Sequence, residues 1–471
     1  MIVMKIGGSS LRDVASIERV VEIITRCEEN ERIVVLSAVS GVTDHLIKCV
    51  DQALDSERKI NVLLEYLLLL HRELIAGIIK AASLRRKVLD EVEYLLSRLE
   101  KLLFGVSYTG ECTRRTRDLI LSFGERLAVQ LVAGCLQDRD QAAVALEADR
   151  IDLIANGAFG YGNADLGRTA EMLPAHLAEF LHRDSIPVIT GFFGRTPEGH
   201  TITFGRGGTD YSAAIVAHAM NCRELQIWKD VDGFLTASPQ VVNGARPLRL
   251  LAYEEAAELS YFGASILHPR TVEPLVEKQI PAVIKNTFHP EAPGTVIGPE
   301  RHLDEKVIKS VTYNRDIGAL RLHGVSIGQQ VGFLTRVVSA LSEANINIIS
   351  VITSQTSVNL LFNKDDVTRS RKIIEKQKIT YLDHIEPLMD IALVGVVGEG
   401  LAETKGLAAR VFTAVARANT NVEMISSGAS KVAQYFIIKE KDIERTVAAI
   451  HSEFYGPAMT EPDPSVAAVG I

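Results

Sequence analysis

The stretch IVMKIGGSSLRDVASIERVVEIITRCEENERIVVLSA, residues 2–38, decides the fold of the N-terminal part of the chain. Residues 2–6 and residues 33–38 are short, mainly apolar runs, which predict two buried strands. Between them, residues 16–27 show the spacing of apolar side chains that predicts a helix. A strand, a helix and a strand within about 40 residues indicate a parallel βαβ unit, whose ligands bind at the carboxyl ends of the strands.

The pattern continues along the first two thirds of the chain. Residues 45–105 show long helical periodicity with few Gly or Pro, and IPVITGF at 186–192 predicts another buried strand that ends in Gly. The charged run PERHLDEK, from 299, reads either as a linker or as a solvated surface turn.

The last third of the chain contains an internal repeat. GFLTRVVSALSEANINIISVI begins at Gly332 and GLAARVFTAVARANTNVEMIS begins at Gly406, an offset of 406 − 332 = 74 residues. Each copy reads as an amphipathic helix that starts after a glycine, a short turn and a β-rich run. We therefore predict two copies of one small α+β module, packed as a pair.

The composition argues against several classes of protein. The 51 Lys and Arg against 59 Asp and Glu give a formal net charge of −8, whereas a general nucleic-acid binder is usually basic. The five Cys are scattered without a C-x-x-C pair, so we expect neither a disulfide framework nor a metal site, and a reducing cytoplasm fits. The densest apolar run, Leu67–Leu70, is far too short to cross a bilayer, so no membrane segment is expected.

Two glycine-containing motifs follow the first two predicted strands. In KIGGSS, Lys5–Ser10, the glycines let backbone N–H groups approach an anion and Lys5 adds positive charge, which suits a phosphoryl group. In SAVSGVTD, Ser37–Asp44, the hydroxyls could hold a carboxylate or a phosphoryl group. A tight turn with a surface lysine explains the first motif equally simply, and capping of the next helix explains the second.

Two further motifs carry charge that needs a partner. A buried Glu125, in FGERL, must have one, which is either a substrate ammonium or an internal arginine. In TFGRGGTDYSAA, from Thr203, Arg206 can grip a carboxylate and Asp210 an ammonium, the pair of contacts that an amino-acid substrate requires. The alternative is a glycine-rich turn with a Thr or Asp helix cap.

These motifs, together with IWKDVDG and FGASILHPRTVEP in the same order, resemble the aspartate kinases of the amino-acid kinase family. The repeated module resembles the paired ACT domains of that family, and KNTFHPEAPGTVI at 285–297 resembles archaeal and plant-like members. The resemblance implies an αβα sandwich with a mostly parallel sheet, followed by two α+β, ferredoxin-like ACT modules. The implied boundaries are 1–300 for the kinase domain, 315–385 and 388–460 for the ACT domains, with a strand from 305–314 completing the second.

The resemblance also implies a reaction and a set of site residues. The γ-phosphoryl group of ATP, delivered with Mg²⁺, would pass to the side-chain carboxylate of L-aspartate, the first step towards lysine, threonine and methionine. Lys5, Arg206 and Asp210 would be catalytic, and Glu125 would join Asp210 at the substrate ammonium. The remaining aspartate contacts would be Ser37, Thr43, Gly207, Gly208 and Thr209. The ATP contacts would be Lys5, Gly7, Gly8, Ser9, Lys229, Asp230, Phe234 and Lys285.

The sequence departs from the family pattern on the expected ATP side. Ser238 replaces an Asp and Gln240 an Arg, and Ser265 stands where many members have a Lys. We therefore expect weaker ATP binding, or contacts shifted to Lys229 and Lys285.

For the ACT modules the resemblance implies feedback control by an end-product amino acid. The matching effector residues are Gly332, Phe333, Leu334, Asn347, Ile349, Gln355 and Asn359. Ile349 stands where lysine-sensing members have an Asp, which favours threonine over lysine, or no effector. Ala433 replaces a common Asn, so the second copy is expected to be degenerate. Alternatively the modules only build a homodimer or a higher homo-oligomer.

Two other functions stay open at this point. A non-catalytic amino-acid-sensing subunit would explain the changes at Ser238, Gln240 and Ser265, but the intact Lys5 and Arg206 argue against it. A related kinase with another acceptor is disfavoured by the paired ACT copies.

Overall fold

The computed structural model describes residues 1–29, 31–264, 266–303 and 307–456. Ser265, the start of the expected strand at 305–306, and residues 457–460 at the expected end of the second ACT domain lie outside the described residues. The chain forms two compact units. The first comprises the described residues within 1–234, 247–257 and 265–301, and the second comprises those within 235–246, 258–264 and 302–471.

The first unit contains one large sheet and two short hairpins. Its strands are β1 (Ile2–Ile6), β2 (Arg32–Leu36), β3 (Ala143–Leu146), β4 (Ala155–Ala158), β5 (Tyr161–Ala164), β6 (Ile186–Thr190), β7 (Phe193–Arg195), β8 (Thr201–Thr203), β9 (Glu224–Lys229), β10 (Leu250–Ala252), β11 (Ala282–Asn286) and β12 (Thr295–Gly298). Eight of them form a sheet in the order β10-β12-β11-β9-β1-β2-β6-β3, and only the β11–β12 pair is antiparallel. The hairpins are β4–β5 and β7–β8. The predicted mostly parallel sheet is confirmed.

Helices surround this sheet. They are α1 (Val14–Thr25), α2 (Val42–Asp55), α3 (Glu57–Ile78), α4 (Ala82–Thr109), α5 (Arg114–Leu121), α6 (Phe123–Gln137), α7 (Leu166–His182), α8 (Gly208–Ala219), α9 (Tyr253–Tyr261) and α10 (Val272–Lys278), of which α9 extends into residues grouped with the second unit. The region expected to be helical, 45–105, forms α2, α3 and most of α4. Residues 114–137 contain an 18-residue window that is apolar enough to cross a membrane, but 89% of that window is buried inside the fold, as in a core helix.

The strand order places a topological switch point at β1. This strand lies between β2 and β9. The strands β2, β6 and β3 extend the sheet on one side of β1, and β9, β11, β12 and β10 extend it on the other. Backbone hydrogen bonds extend the pairing beyond the strand ends: the Gly7 N–H donates to the Trp228 carbonyl, and the Ser37 N–H to the Ile6 carbonyl. Open α/β sheets bind their ligands at such a point, outside the carboxyl ends of the strands.

The second unit contains two antiparallel four-stranded sheets. Its strands are β13 (Ser310–Asn314), β14 (Ile317–His323), β15 (Ser350–Thr353), β16 (Ser357–Asn363), β17 (His384–Leu388), β18 (Ile391–Val397), β19 (Val422–Ser426) and β20 (Ala433–Lys439), and its helices are α11 (Phe333–Glu343), α12 (Val367–Lys376), α13 (Leu407–Arg417) and α14 (Ile443–Tyr455). The sheet orders are β15-β16-β14-β17 and β13-β18-β20-β19. The predicted pair of α+β modules is therefore present.

The two modules share their construction. The helices α11 and α13 both begin after a glycine, Gly332 and Gly406, that adopts φ of 80°. The strand β13 occupies the edge of the second sheet that β17 occupies in the first, so the second module is completed by a strand that precedes the first. The domain boundaries at 315–385 and 388–460 stay predictions.

Candidate active site

A cleft of about 410 Å³ opens at the switch point of the large sheet. It brings together most of the residues predicted from the sequence: Lys5, Gly8, Ser9, Ser37, Thr43, Glu125, Arg206, Gly207, Gly208, Thr209, Asp210 and Lys229. The residues are separated by up to 229 − 5 = 224 positions in the sequence, but the parallel strands carry their ends to one edge of the sheet.

Two helices point their N-termini into this cleft. The helix α2 begins after Gly41, whose φ is 81°, and α8 begins after Gly207, whose φ is 72°. The first N–H groups of a helix have no partner within the helix, and the helix dipole adds positive potential there. The two ends therefore form a binding site for anions, such as carboxylate and phosphoryl groups.

A buried charge cluster lies at the base of the cleft. The Asp210 carboxylate contacts the Lys5 amino group at 2.6 Å and the Lys229 amino group at 3.1 Å. Burial alone would raise the pKa of Asp210, but the two lysines outweigh it and hold this pKa at about 2. Burial lowers the pKa of Lys5, and Asp210 opposes that shift. With all three groups charged, the cluster keeps one net positive charge.

Glu125 is the second buried acid of the cleft. Only 3% of this residue is exposed, and one carboxyl oxygen accepts a hydrogen bond of 3.1 Å from the Ala38 N–H. The other oxygen, Oε2, has no hydrogen-bond partner among the described residues. Burial raises the pKa of Glu125 to about 8. Without an added cation the side chain is therefore mostly protonated at neutral pH, and it is suited to receive an ammonium group.

Arg206 stands at the entrance of the cleft between two glycines with positive φ. Gly205 has φ of 75° and Gly207 has φ of 72°, a conformation that only glycine adopts without strain. The side chain of Arg206 is exposed. Within the described ranges no hydrogen bond or ion pair holds its guanidinium group, so it can grip an incoming carboxylate with two parallel hydrogen bonds.

Four predicted ATP contacts do not line this cleft. The Gly7 N–H is already bonded to the Trp228 carbonyl, and Phe234 is only 1% exposed. The amino group of Lys285 lies 5.0 Å from the centre of the Trp228 ring, and Asp230 is exposed. Their part in nucleotide binding stays a prediction.

The structure also changes the place expected for Asp210. From the sequence, Asp210 was expected to bind the substrate ammonium group together with Glu125. In the structure both of its oxygens face lysine amino groups, whereas Oε2 of Glu125 is unoccupied. A carboxylate between two buried lysines holds them in position, because each lysine needs a counter-charge when it is removed from water.

Sequence reasoning missed Phe192, which lines the cleft, and Asp118, which does not line it but holds two backbone N–H groups in the segments near Arg206. Phe192 lines the cleft with φ of 71°, a strained conformation for a bulky side chain that is typical of functional sites. Asp118 accepts hydrogen bonds of 2.8 Å from the backbone N–H groups of Gly160 and Thr203. Phe192 does follow a strand that ends in glycine, which was a usable signal, but nothing around Asp118 in the sequence indicates its partners.

The predicted effector residues all lie in the first α+β module. Phe333 and Asn359 are buried, whereas Gly332, Leu334, Asn347 and Gln355 are exposed and Ile349 is intermediate. The Asn359 side chain accepts a hydrogen bond of 3.0 Å from Arg321, a residue that the sequence argument did not single out.

Gly207 offers a test of how Arg206 is held. A Cβ atom at Gly207 would overlap the His268 ring, so we expect Gly207→Ala to displace Arg206 and to lower kcat/KM for the acceptor at least about tenfold. Gly199→Ala is the matched control, because Gly199 has φ of 87° but nothing within 4 Å of an added Cβ. Both variants should lose about 1 kcal/mol of unfolding free energy through φ alone. Equal kinetics of the two variants would contradict this account.

Comparison with known proteins agrees with the fold. The model of the amino acid kinase family matches residues 1–286, and an ACT domain model matches residues 394–454. A kinase domain of the amino acid kinase class joined to ACT modules is therefore the class of protein that the fold and the cleft define.

Individual relatives identify the family to which the chain belongs within this class. The chain is 33% identical over 463 residues to aspartokinase 1, chloroplastic, from Arabidopsis thaliana, covering 96% of this chain and 80% of that protein. It is 30% identical to an aspartokinase from Schizosaccharomyces pombe, covering 99% and 95%. The crystal structure of E. coli aspartokinase III in complex with aspartate and ADP superimposes with a TM-score of 0.83 at 28% identity, covering 97% of this chain and all of that one. The chain belongs to the aspartokinase family.

Proposed function

We propose that the protein transfers the γ-phosphoryl group of ATP to the side-chain carboxylate of L-aspartate, giving 4-phospho-L-aspartate and ADP. The observation that carries this proposal is the pairing of unsatisfied groups in one cleft. Among the described residues, Oε2 of Glu125 is buried without a hydrogen-bond partner and the guanidinium group of Arg206 is free. Together they match the ammonium and the α-carboxylate of an amino acid, and they leave its side chain directed at the charge cluster.

The positive groups of the cleft fit the transferred phosphoryl group. Lys5 and Lys229, both bound to Asp210, line the cleft together with Gly8, whereas the Gly208 N–H already donates to the Gly205 carbonyl at 3.0 Å. Phosphoryl transfer spreads negative charge over the equatorial oxygens, and fixed positive charges stabilise that distribution without reorganisation. The acceptor is already a carboxylate, so the reaction needs no general base, and catalysis consists of positioning and charge stabilisation.

Magnesium would reach the site with the nucleotide. In the part of the chain that the structure describes, no group of three or more His, Cys, Asp or Glu side chains is placed to hold a metal ion. A Mg²⁺ ion bound to the ATP phosphates would supply additional charge neutralisation during transfer.

Trapping of the product tests this function. With ATP, Mg²⁺ and hydroxylamine, we expect hydroxamate from L-aspartate and none from L-glutamate or N-acetyl-L-glutamate. Hydroxamate from another acceptor would point to a related kinase. No hydroxamate from folded protein that still binds an amino acid would point to a sensing subunit.

The ACT modules support a regulatory function. We infer that an end-product amino acid binds the first module near Gly332, because α11 begins there with free N–H groups beside exposed residues such as Leu334 and Asn347. A crystal structure of a relative, E. coli aspartokinase III, contains lysine and aspartate and superimposes with a TM-score of 0.80. In this chain the apolar Ile349 favours threonine over lysine, because it offers no charge to a second ammonium group.

An inhibition series tests the effector. We expect millimolar L-threonine to lower the initial rate of hydroxamate formation, and L-lysine to have a weaker effect. Asn347→Ala should reduce the sensitivity to threonine without changing the uninhibited rate. If threonine, lysine and methionine all leave the rate unchanged, the modules have a purely structural function.

The reaction would open the route to lysine, threonine and methionine. We infer a cytoplasmic location from the five cysteines, all of which are unpaired thiols and three of which are buried, as a reducing compartment allows.

A further inference from the structure

Arg270, which lies outside the lining of the cleft, connects the loop that presents Arg206 to the hairpin formed by β4 and β5. Arg270 lies within the motif FGASILHPRTVEP, but no role was assigned to it from the sequence. Its guanidinium group lies between two tyrosine rings, 4.7 Å from the centre of the Tyr161 ring and 4.4 Å from that of Tyr211. Tyr211 belongs to the first turn of α8, directly after Asp210.

The same guanidinium group donates hydrogen bonds to both segments. Nη1 donates to the Phe204 carbonyl at 3.0 Å, two residues before Arg206. Nη2 donates to the Gly162 carbonyl at 2.6 Å and to Oδ1 of Asn163 at 2.8 Å, in the hairpin formed by β4 and β5. Arg270 thus joins the backbone of the Arg206 loop to this hairpin through one rigid, planar group.

The hairpin and the Arg270 segment also pack on the two glycines that flank Arg206. A Cβ atom at Gly205 would lie 3.0 Å from the Gly160 carbonyl oxygen and 3.2 Å from the Tyr161 ring. A Cβ atom at Gly207 would overlap the ring of His268, two residues before Arg270. The loop that presents Arg206 is therefore held on one side by the hairpin and on the other by the segment that contains Arg270.

We propose that Arg270 is a positioning residue for the amino-acid substrate, which holds the Arg206 loop and the β4–β5 hairpin in the geometry that receives the α-carboxylate. This inference rests on the proposed function. Lysine cannot replace this arginine, because an ammonium group cannot stack flat between two rings and at the same time donate in two directions within a plane.

Steady-state kinetics of Arg270→Lys and Arg270→Met test the proposal. Both variants should raise KM for L-aspartate about tenfold or more and leave KM for ATP within about twofold, because Arg270 contacts none of the described residues predicted to bind ATP. Arg183→Met is the control, since Arg183 forms only an exposed ion pair with Glu179 and should behave as the wild type. Equal increases in both KM values, or no change in KM for aspartate, would overturn the proposal.

Hydrogen–deuterium exchange of the full chain without substrates gives a readout that does not depend on activity. In Arg270→Met, exchange should become faster in residues 155–164 and in residues 203–208, while α3 and α4 keep the wild-type rates. Unchanged exchange in both segments would contradict the positioning role even if activity fell. A wild-type protein without aspartate kinase activity would instead contradict the proposed function, and the exchange experiment would still decide whether Arg270 holds the loop.

Discussion

Replacing Lys5 by methionine is expected to lower kcat by about 10³-fold, because it removes a preorganised positive charge next to the transferred phosphoryl group. The fold should persist, since Asp210 keeps its contact of 3.1 Å with Lys229 and methionine fills a similar volume. The KM for L-aspartate should change far less than kcat, because Lys5 acts mainly on the transition state. Initial rates of ADP formation, measured with both substrates saturating, give this value.

A lysine on the surface provides the matched control. Lys59 forms an ion pair with Asp55 at 3.5 Å, and its side chain is 49% exposed. Lys59→Met should keep the wild-type kcat and nearly the wild-type melting temperature. A kcat for Lys5→Met within tenfold of the wild type would mean that this lysine only balances the charge of Asp210.

Replacing Glu125 by glutamine is expected to weaken aspartate binding by about 10²-fold, because the ammonium group loses a buried carboxylate whose Oε2 has no hydrogen-bond partner among the described residues. The same change should also abolish the release of a proton that accompanies aspartate binding. The pKa of Glu125 is raised to about 8 without substrate, so at pH 7 the bound ammonium group should expel about one proton. Calorimetric titration of aspartate in two buffers of different ionisation enthalpy measures this release.

Glu125→Gln should weaken aspartate binding but stabilise the folded protein at alkaline pH. The carboxyl of Glu125 has a higher pKa in the folded than in the unfolded chain, so the folded state is favoured at low pH and loses that advantage as the pH rises from about 4.5 to about 8. Glutamine does not ionise, so Glu125→Gln should unfold at a higher temperature than the wild type at pH 8.5 and at nearly the same temperature at pH 5. A carboxyl group that destabilises the folded state at high pH is consistent with a role in function.

Two results would contradict this account of Glu125. One is an equal heat of aspartate binding in both buffers at pH 7, which would mean that the carboxyl is already ionised. The other is a Glu125→Gln variant that is less stable than the wild type at pH 8.5, which would mean that the carboxylate has an internal cationic partner.

Much of the site could be predicted because its residues follow strand ends. KIGGSS comes directly after β1 and the Ser37 motif directly after β2, so a parallel sheet must bring them together. Helix caps were also considered in the Ser37 and Thr203 motifs, and α2 and α8 do begin within them. The repeat with an offset of 74 residues likewise predicted two modules, because the same periodicity specifies the same helix twice.

The sequence did not reveal which charged groups neutralise one another. Asp210 lies 205 positions after Lys5, and no pattern distinguishes a carboxylate that meets a lysine from one that meets a substrate. Arg270 was equally hidden, because its two tyrosine neighbours lie more than 50 residues away in the sequence and only the packed hairpin brings them to it. Contacts of this kind depend on tertiary packing rather than on local periodicity.

Single-turnover transfer from [γ-³²P]ATP follows the phosphoryl group itself from donor to acceptor. Enzyme in excess over labelled ATP is mixed with Mg²⁺ and L-aspartate, the reaction is quenched, and the label is separated into ATP, inorganic phosphate and aspartyl phosphate. We expect the label to pass to a product that is stable to the quench, cleaved by hydroxylamine and dependent on L-aspartate. Label that appears only as inorganic phosphate, or that stays in ATP while aspartate is bound, would contradict it.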